Sequence, residues 1–111
     1  MNVKRNVADS PVRRVDDALK IIDLFDGEGF AFDFVIAELD GVHPTVVNRA
    51  SDRAYFILNG EGKVRLGDIE HVVREGDLIT IKAGTTHSIT GRIRYAIVTA
   101  PPFDPRNEDV L

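Results

Sequence analysis

Short runs rich in isoleucine, valine and phenylalanine, each broken by a glycine-bearing turn signal, recur from Leu19 to Thr99. This rhythm constrains the chain more than any other feature, because it suits a β-sandwich or barrel. Leu19 to Phe25 and Phe30 to Leu39 read as strands, with Gly27-Glu28-Gly29 as a hairpin turn between them. Asp16-Asp17-Ala18 could open a short helix through Ile22, but the β-branched pair Ile21-Ile22 and the glycine stop favour a strand. Asp40-Gly41 marks the next turn, His43 to Asn48 a short strand, and Arg53 to Leu58 a strong one. Asn59-Gly60-Glu61-Gly62 reads as a tight turn, since glycine takes positive φ at little cost. Strands follow at 63–66, 69–74, 77–82, 86–90 and 93–99, with Gly67-Asp68 and Glu75-Gly76 turning the chain. Pro101-Pro102 ends the pattern, because proline donates no ladder hydrogen bond.

So many short strands in 111 residues predict an all-β, closed or double-sheet architecture that limits exposed edges. The length fits a single domain over 1–111. The barrel is expected over about 19–100, with an N-terminal arm at 1–18 and a C-terminal tail at 101–111. No apolar run nears the ~20 residues of a membrane helix, and the first ten residues hold no apolar signal core. The expectation is therefore a cytoplasmic protein without a membrane partner. The chain has no cysteine, which excludes disulfides, thiolate metal sites and a cysteine nucleophile. A net charge of -4 argues against a nucleic-acid partner, which calls for a basic face. Neither a phosphate-binding loop nor a hydrolase nucleophile elbow occurs.

The stretch Gly76 to His87 resembles the second motif of the cupin superfamily, with Gly76, Gly84 and His87 in register. Lys82 stands where that motif has proline, and Gly91 where it has asparagine. Tyr55 to Gly62 resembles the strand-turn end of the first motif, and fifteen residues separate Gly60 from Gly76. The resemblance spans about Phe30 to Thr99. It implies a jelly-roll type antiparallel β-barrel and a homodimer, with the outward Phe56 and Leu58 as contact points or as cover for the N-terminal strand.

The resemblance also implies a metal site of three histidines and a glutamate, which this chain mostly lacks. Arg53 occupies the glutamate position, and the paired histidine positions fall on Val46 and Asn48 or on Val47 and Arg49. Only His87 is retained, so no cofactor is expected. A divalent transition metal would need a rescued set of His43, His87 and Asp52, reached by a one-residue slip that turns Asp52 inward. Strand parity, with Arg53 inward, instead turns Tyr55 and Ile57 into the barrel, and Asn48 joins them if the paired positions are 46 and 48. Arg53, Asn48, Tyr55 and His87 then line a pocket for an anionic or polyhydroxylated small molecule. Plainer roles stand beside these: an ion pair for Arg53, core packing for Tyr55, a turn cap for Asn48. Two function classes are open, a small-molecule-binding module and an enzyme. The enzyme would use either metal-independent epimerase or isomerase chemistry, with His87 as base and Tyr55 as acid, or metal-dependent oxygenase chemistry at the rescued site.

Overall fold

A computed structural model describes residues 2–111. Eight strands follow one another: β1 (Val12–Arg14), β2 (Leu19–Phe25), β3 (Asp33–Asn48), β4 (Asp52–Leu66), β5 (Ile69–Arg74), β6 (Leu78–Ile81), β7 (His87–Ala100) and β8 (Glu108–Val110). Every pairing is antiparallel, in the order β1-β2-β3-β7-β4-β5, with β6 also on β4 and β8 also on β3. The all-β jelly-roll expectation holds. Among the described residues no helix is long and apolar enough to cross a membrane.

Three strands are far longer than the sequence suggested. β3, β4 and β7 run straight through Gly41 and Gly60-Gly62, expected to be turns, and through Gly91, expected to lie between two strands. These glycines are instead bends in continuous strands. Gly91 pairs with Gly41 on one side and Gly62 on the other, a glycine row across the three central strands. A Cβ on Gly91 would lie 2.7 Å from both Glu61 O and Gly62 Cα, and the residue has φ +144°. Only glycine lets the backbones approach this closely while the sheet folds back on itself. A glycine inside a β run thus gives the same local signal whether the chain reverses or merely bends.

Alternation then sorts the side chains. From β4, Tyr55 and Ile57 enter the interior; a bulge between Ile57 and Asn59 resets the parity so that Val64 follows. With Leu19, Ile21, Ala37, Leu39, Ile89, Ile93 and Tyr95 they form the main core. A smaller cluster of Ile22, Ile36 and Ala96, packed with Phe34 and Leu58, lies on the outer face. Leu58 is thus covered by its own sheet, whereas Phe56 is 45% exposed. The sheet also extends past 19–100 at both ends. β1 adds to β2, and the tail returns through β8 to pair with Val46–Asn48 of β3.

Gly91→Ala should destabilise the barrel by roughly 2–4 kcal/mol, combining overpacking with a disfavoured backbone angle. Gly67→Ala, at φ +58° with no atom within 4 Å of its added Cβ, should cost only about 1 kcal/mol. Urea denaturation of the two variants measures the gap, and equal losses would remove the glycine row as the constraint.

Candidate functional site

The register of three strands builds the site in rows. Asp33, Thr99 and Arg53 form one row across β3, β7 and β4; Val35, Ile97 and Tyr55 form the next; Ala37, Tyr95 and Ile57 the third. All face the interior, so polarity falls from the outermost row inward. Above them opens a cavity of about 310 Å³, roofed by Phe25, Phe103 and the tail residue Glu108, with His43 on its wall. That volume is at the small end of the roughly 300–1,000 Å³ of small-molecule pockets. A broader groove of about 460 Å³ lies elsewhere on the barrel, among Arg14, Lys20, Glu38, Arg92 and Arg94. It is more open and its Glu38 already bridges Lys20 (3.1 Å) and Arg94 (3.4 Å), so the more sheltered cavity is the better candidate.

Arg53 does face inward, and its side chain is only 9% exposed. Its ion-pair partner is Glu108 of β8, with Nη2 2.5 Å from Oε1 at an angle short of a hydrogen bond. Its Nη1 lies 3.3 Å from His87 Nε2, and its guanidinium sits over the Phe103 ring at 5.6 Å. Its Nε is buried without a hydrogen-bond partner.

His87 is fully enclosed behind Arg53 and does not line the cavity. Its Nδ1 lies 2.9 Å from the Thr85 carbonyl, which can only accept, so Nδ1 carries the proton and the bare Nε2 accepts from Arg53. Burial, and then the Arg53 charge, hold its pKa below the usual histidine value. The base expected at His87 is therefore already engaged. His43 takes the exposed place instead: it is half-buried on β3 and borders the cavity. Burial lowers its pKa too, so its imidazole is neutral at pH 7.

Tyr55 lines the cavity as expected, packing edge-on to His87 at 6.1 Å and against Tyr95 at 5.1 Å. Burial raises the pKa of both phenols, keeping them protonated donors. Asn48 does not join them. Its Oδ1 accepts from Ala50 N (3.0 Å) and Ser51 N (2.8 Å), capping the turn into β4, and it does not border the cavity. Asp52 faces outward, 52% exposed, holding Lys82 Nζ (3.3 Å) and Ala83 N (2.9 Å).

The rescued set of His43, His87 and Asp52 is thereby broken, since the strand keeps the parity that buries Arg53. Among the described residues no three histidine or carboxylate side chains converge to hold a metal. A divalent ion does not fit this donor set: a guanidinium occupies the place of a ligand, and the retained imidazole gives its lone pair to it.

Sequence reading missed Asp33, Glu108, Tyr95 and Phe103, and placed His43 only as a metal ligand. Asp33 carried a usable signal, being the one charge among the inward positions 33, 35, 37 and 39. It is 6% exposed, and its Oδ2 accepts from Phe103 N at 2.9 Å. Burial raises its pKa, against the lowering effect of that bond and of Arg53. Glu108 carried no signal, because only the folded tail brings it there.

The Cupin domain family matches residues 35–93. By sequence, no curated protein matches the chain. Among solved structures, the nucleoside dehydratase Pac13 of Streptomyces aligns with a TM-score of 0.87 at 19% identity, over 100% of this chain and 92% of that one. Structures of its tyrosine-to-phenylalanine and histidine-to-glutamine variants are described with uridine. KdgF from Halomonas sp. aligns with a TM-score of 0.83 at 14% identity, over 96% and 99% of the two chains. The polyketide cyclase RemF of Streptomyces resistomycificus aligns with a TM-score of 0.76 at 21% identity, over 90% and 80%.

Glu108→Gln strands a buried guanidinium and should cost about 3–5 kcal/mol in urea denaturation. Lys63→Gln, which breaks the exposed Lys63–Glu70 contact at 3.7 Å, should barely move the midpoint. A pH effect follows from His87. Its folded pKa lies below the unfolded value, so the unfolded chain binds the extra proton. Its contribution to stability is whole above the unfolded pKa, about 6.5, and is lost as pH falls below it. The urea midpoint should drop from pH 7 to pH 5.5, and His87→Gln should reduce that slope, leaving the part that His43 supplies in the same direction; an unchanged slope would place the titration elsewhere.

Proposed function

Starting from a chain that belongs to the Cupin domain family, we propose that the barrel cavity binds a neutral, hydroxylated small molecule and moves a carbon-bound proton in it without a metal. One observation carries this reading: the cavity presents a neutral histidine, His43, with the protonated phenol of Tyr55 on the same wall system. A neutral imidazole accepts a proton near pH 7, and a phenol donates one. On a substrate with a C–H beside a carbonyl, His43 takes the proton and the C–H pair becomes a C=C bond. The carbonyl oxygen then takes the Tyr55 proton, giving an enol. Return of a proton on another face or carbon gives epimerisation or isomerisation, and loss of a neighbouring hydroxyl gives dehydration.

Of the two ligand chemistries expected, the polyhydroxylated one is favoured. Glu108 already answers the Arg53 charge, Asp23 answers Arg13 at 2.8 Å, and Asp26 and Asp33 add further negative charge around the cavity. A phosphate or carboxylate would enter against that field. The solved relatives support an enzyme reading as well: they include a dehydratase and a cyclase, and the uridine-bound variants alter a histidine or a tyrosine, the residue types present here as His43, Tyr55 and Tyr95.

Neutral nucleosides, aldoses and ketoses should raise the melting temperature, whereas their phosphates should not; a ligand at 100 times its Kd adds about 2.7 kcal/mol. In D₂O, a bound aldose or ketose should gain deuterium at the carbon beside its carbonyl, read by mass spectrometry. His43→Gln should keep the thermal shift and lose at least about a hundredfold of the exchange. Exchange that survives in His43→Gln, or stabilisation by phosphates above their neutral parents, would defeat the reading.

A further inference from the structure

The inner face of the sheet carries apolar side chains that the core does not cover. One register row runs Asp23–Val35–Ile97–Tyr55 across β2, β3, β7 and β4, and all four residues border the cavity. One row deeper, Ala37, Tyr95 and Ile57 are fully buried. Val35 and Ile97 face the same way, yet they are only half-buried, because the cavity lies against them. Phe25, at the end of β2, is half-buried on the cavity wall. Val15, in the connection from β1 to β2, borders the cavity and is 49% exposed.

The polar groups free to act lie on other strands. Tyr55 comes from β4, Glu108 from β8, and His43 from the part of β3 beyond the bend at Gly41. Carboxylates on the apolar side are already engaged: Asp23 with Arg13 (2.8 Å), Asp26 with the Glu28 N–H (3.0 Å) and Asp33 with the Phe103 N–H (2.9 Å). Strand spacing sets the scale. Val35 lies two strands from Tyr55, roughly 10 Å between backbones, with Ile97 in the middle. A ligand whose reacting carbon meets Tyr55 and His43 lays its remainder over Ile97 and Val35. A hydroxyl there would shed its water and find no partner on those side chains, which is costly. An apolar group gains by the same burial, and uncovered apolar surface in a sheltered cleft marks a ligand site.

We infer that the substrate is amphipathic: a hydroxyl–carbonyl head that meets Tyr55 and His43, joined to an apolar arm that lies on Ile97 and Val35 towards Phe25. A cavity of about 310 Å³ has room for such a head with an arm the size of a single ring. This names the substrate class for the proton-transfer reading and rests on it. β4 and the far half of β3 act on the head, while the wall nearer β2 selects the arm.

Three neutral ketones that share the HOCH₂–CO– head test the assignment in calorimetric titration of the full chain. Hydroxyacetone has only a methyl arm, erythrulose a hydroxylated arm and 2-hydroxyacetophenone a phenyl arm. The phenyl ketone should bind at least about tenfold tighter than either of the others. Val35→Thr keeps the side-chain shape and puts a hydroxyl on the wall, so the advantage over erythrulose should shrink. Erythrulose binding the unaltered chain as tightly as the phenyl ketone overturns the inference, and that comparison stands even if Val35→Thr fails to fold. An undiminished advantage in a folded Val35→Thr would put the arm elsewhere and overturn it too. Deuterium uptake at the hydroxymethyl carbon in D₂O reports separately on the proton transfer. Its absence alongside the phenyl preference would end the proton-transfer reading and leave the apolar wall standing. Uptake with equal affinities would end the amphipathic assignment alone. Failure of all three ketones to bind would end both.

Discussion

The close approach of β3, β7 and β4 at Gly41, Gly91 and Gly62 governs the rest of the molecule. A flat sheet of strands this long would expose one apolar face. Bending all three at one row folds the sheet over its own inner face and encloses Ile57, Val64, Ile89 and Tyr95. The close contact between backbones is possible because no side chain intervenes there. Away from the bend, at the paired row of Asp33, Thr99 and Arg53, the same three strands border the cavity.

The second organising interaction is the buried Arg53–Glu108 pair. A guanidinium taken out of water needs a partner, and the one supplied comes from the far end of the chain. Its consequences spread through contacts. Arg53 fixes the tautomer of His87 by claiming Nε2, and it supports Phe103 on its face. Through that one side chain, the retained family histidine becomes a scaffold residue and the working imidazole shifts to His43. The same barrel that elsewhere orders a cation here orders an internal cation of its own.

Much of this was legible before any coordinates. Parity put Arg53, Tyr55 and Ile57 on one face and Asp52 on the other, because side-chain direction in a strand has a strict period of two, and the resemblance at position 53 marked the first face as the inner one. The turns at Gly67-Asp68 and Glu75-Gly76 were also readable, since an acidic residue adjoins each glycine. The glycines at 41, 60, 62 and 91 misled, because a bend and a reversal use the same residue for the same conformational reason. Asn48 was equally ambiguous from its side chain: an amide suits a turn cap and a ligand alike, and only the backbone N–H groups of Ala50 and Ser51 decide. Glu108 was beyond local reasoning. Its role depends on a long-range return of the tail to β3, and no spacing near it announces that pairing.

The row of Asp33, Thr99 and Arg53 has a broader consequence. Binding surfaces in many folds are made from loops, which can be remodelled only by altering backbone shape. Here the three mouth positions sit on paired strands, where hydrogen-bond register holds each Cβ in place. A side chain there can be exchanged without changing the strand register that fixes the neighbouring Cβ atoms. Such a mouth behaves like a type-case with fixed slots: divergence proceeds by swapping single side chains, and new selectivity arises without a new architecture. Barrels that superpose at 14–21% identity yet bear names as different as dehydratase and cyclase are what such an arrangement permits.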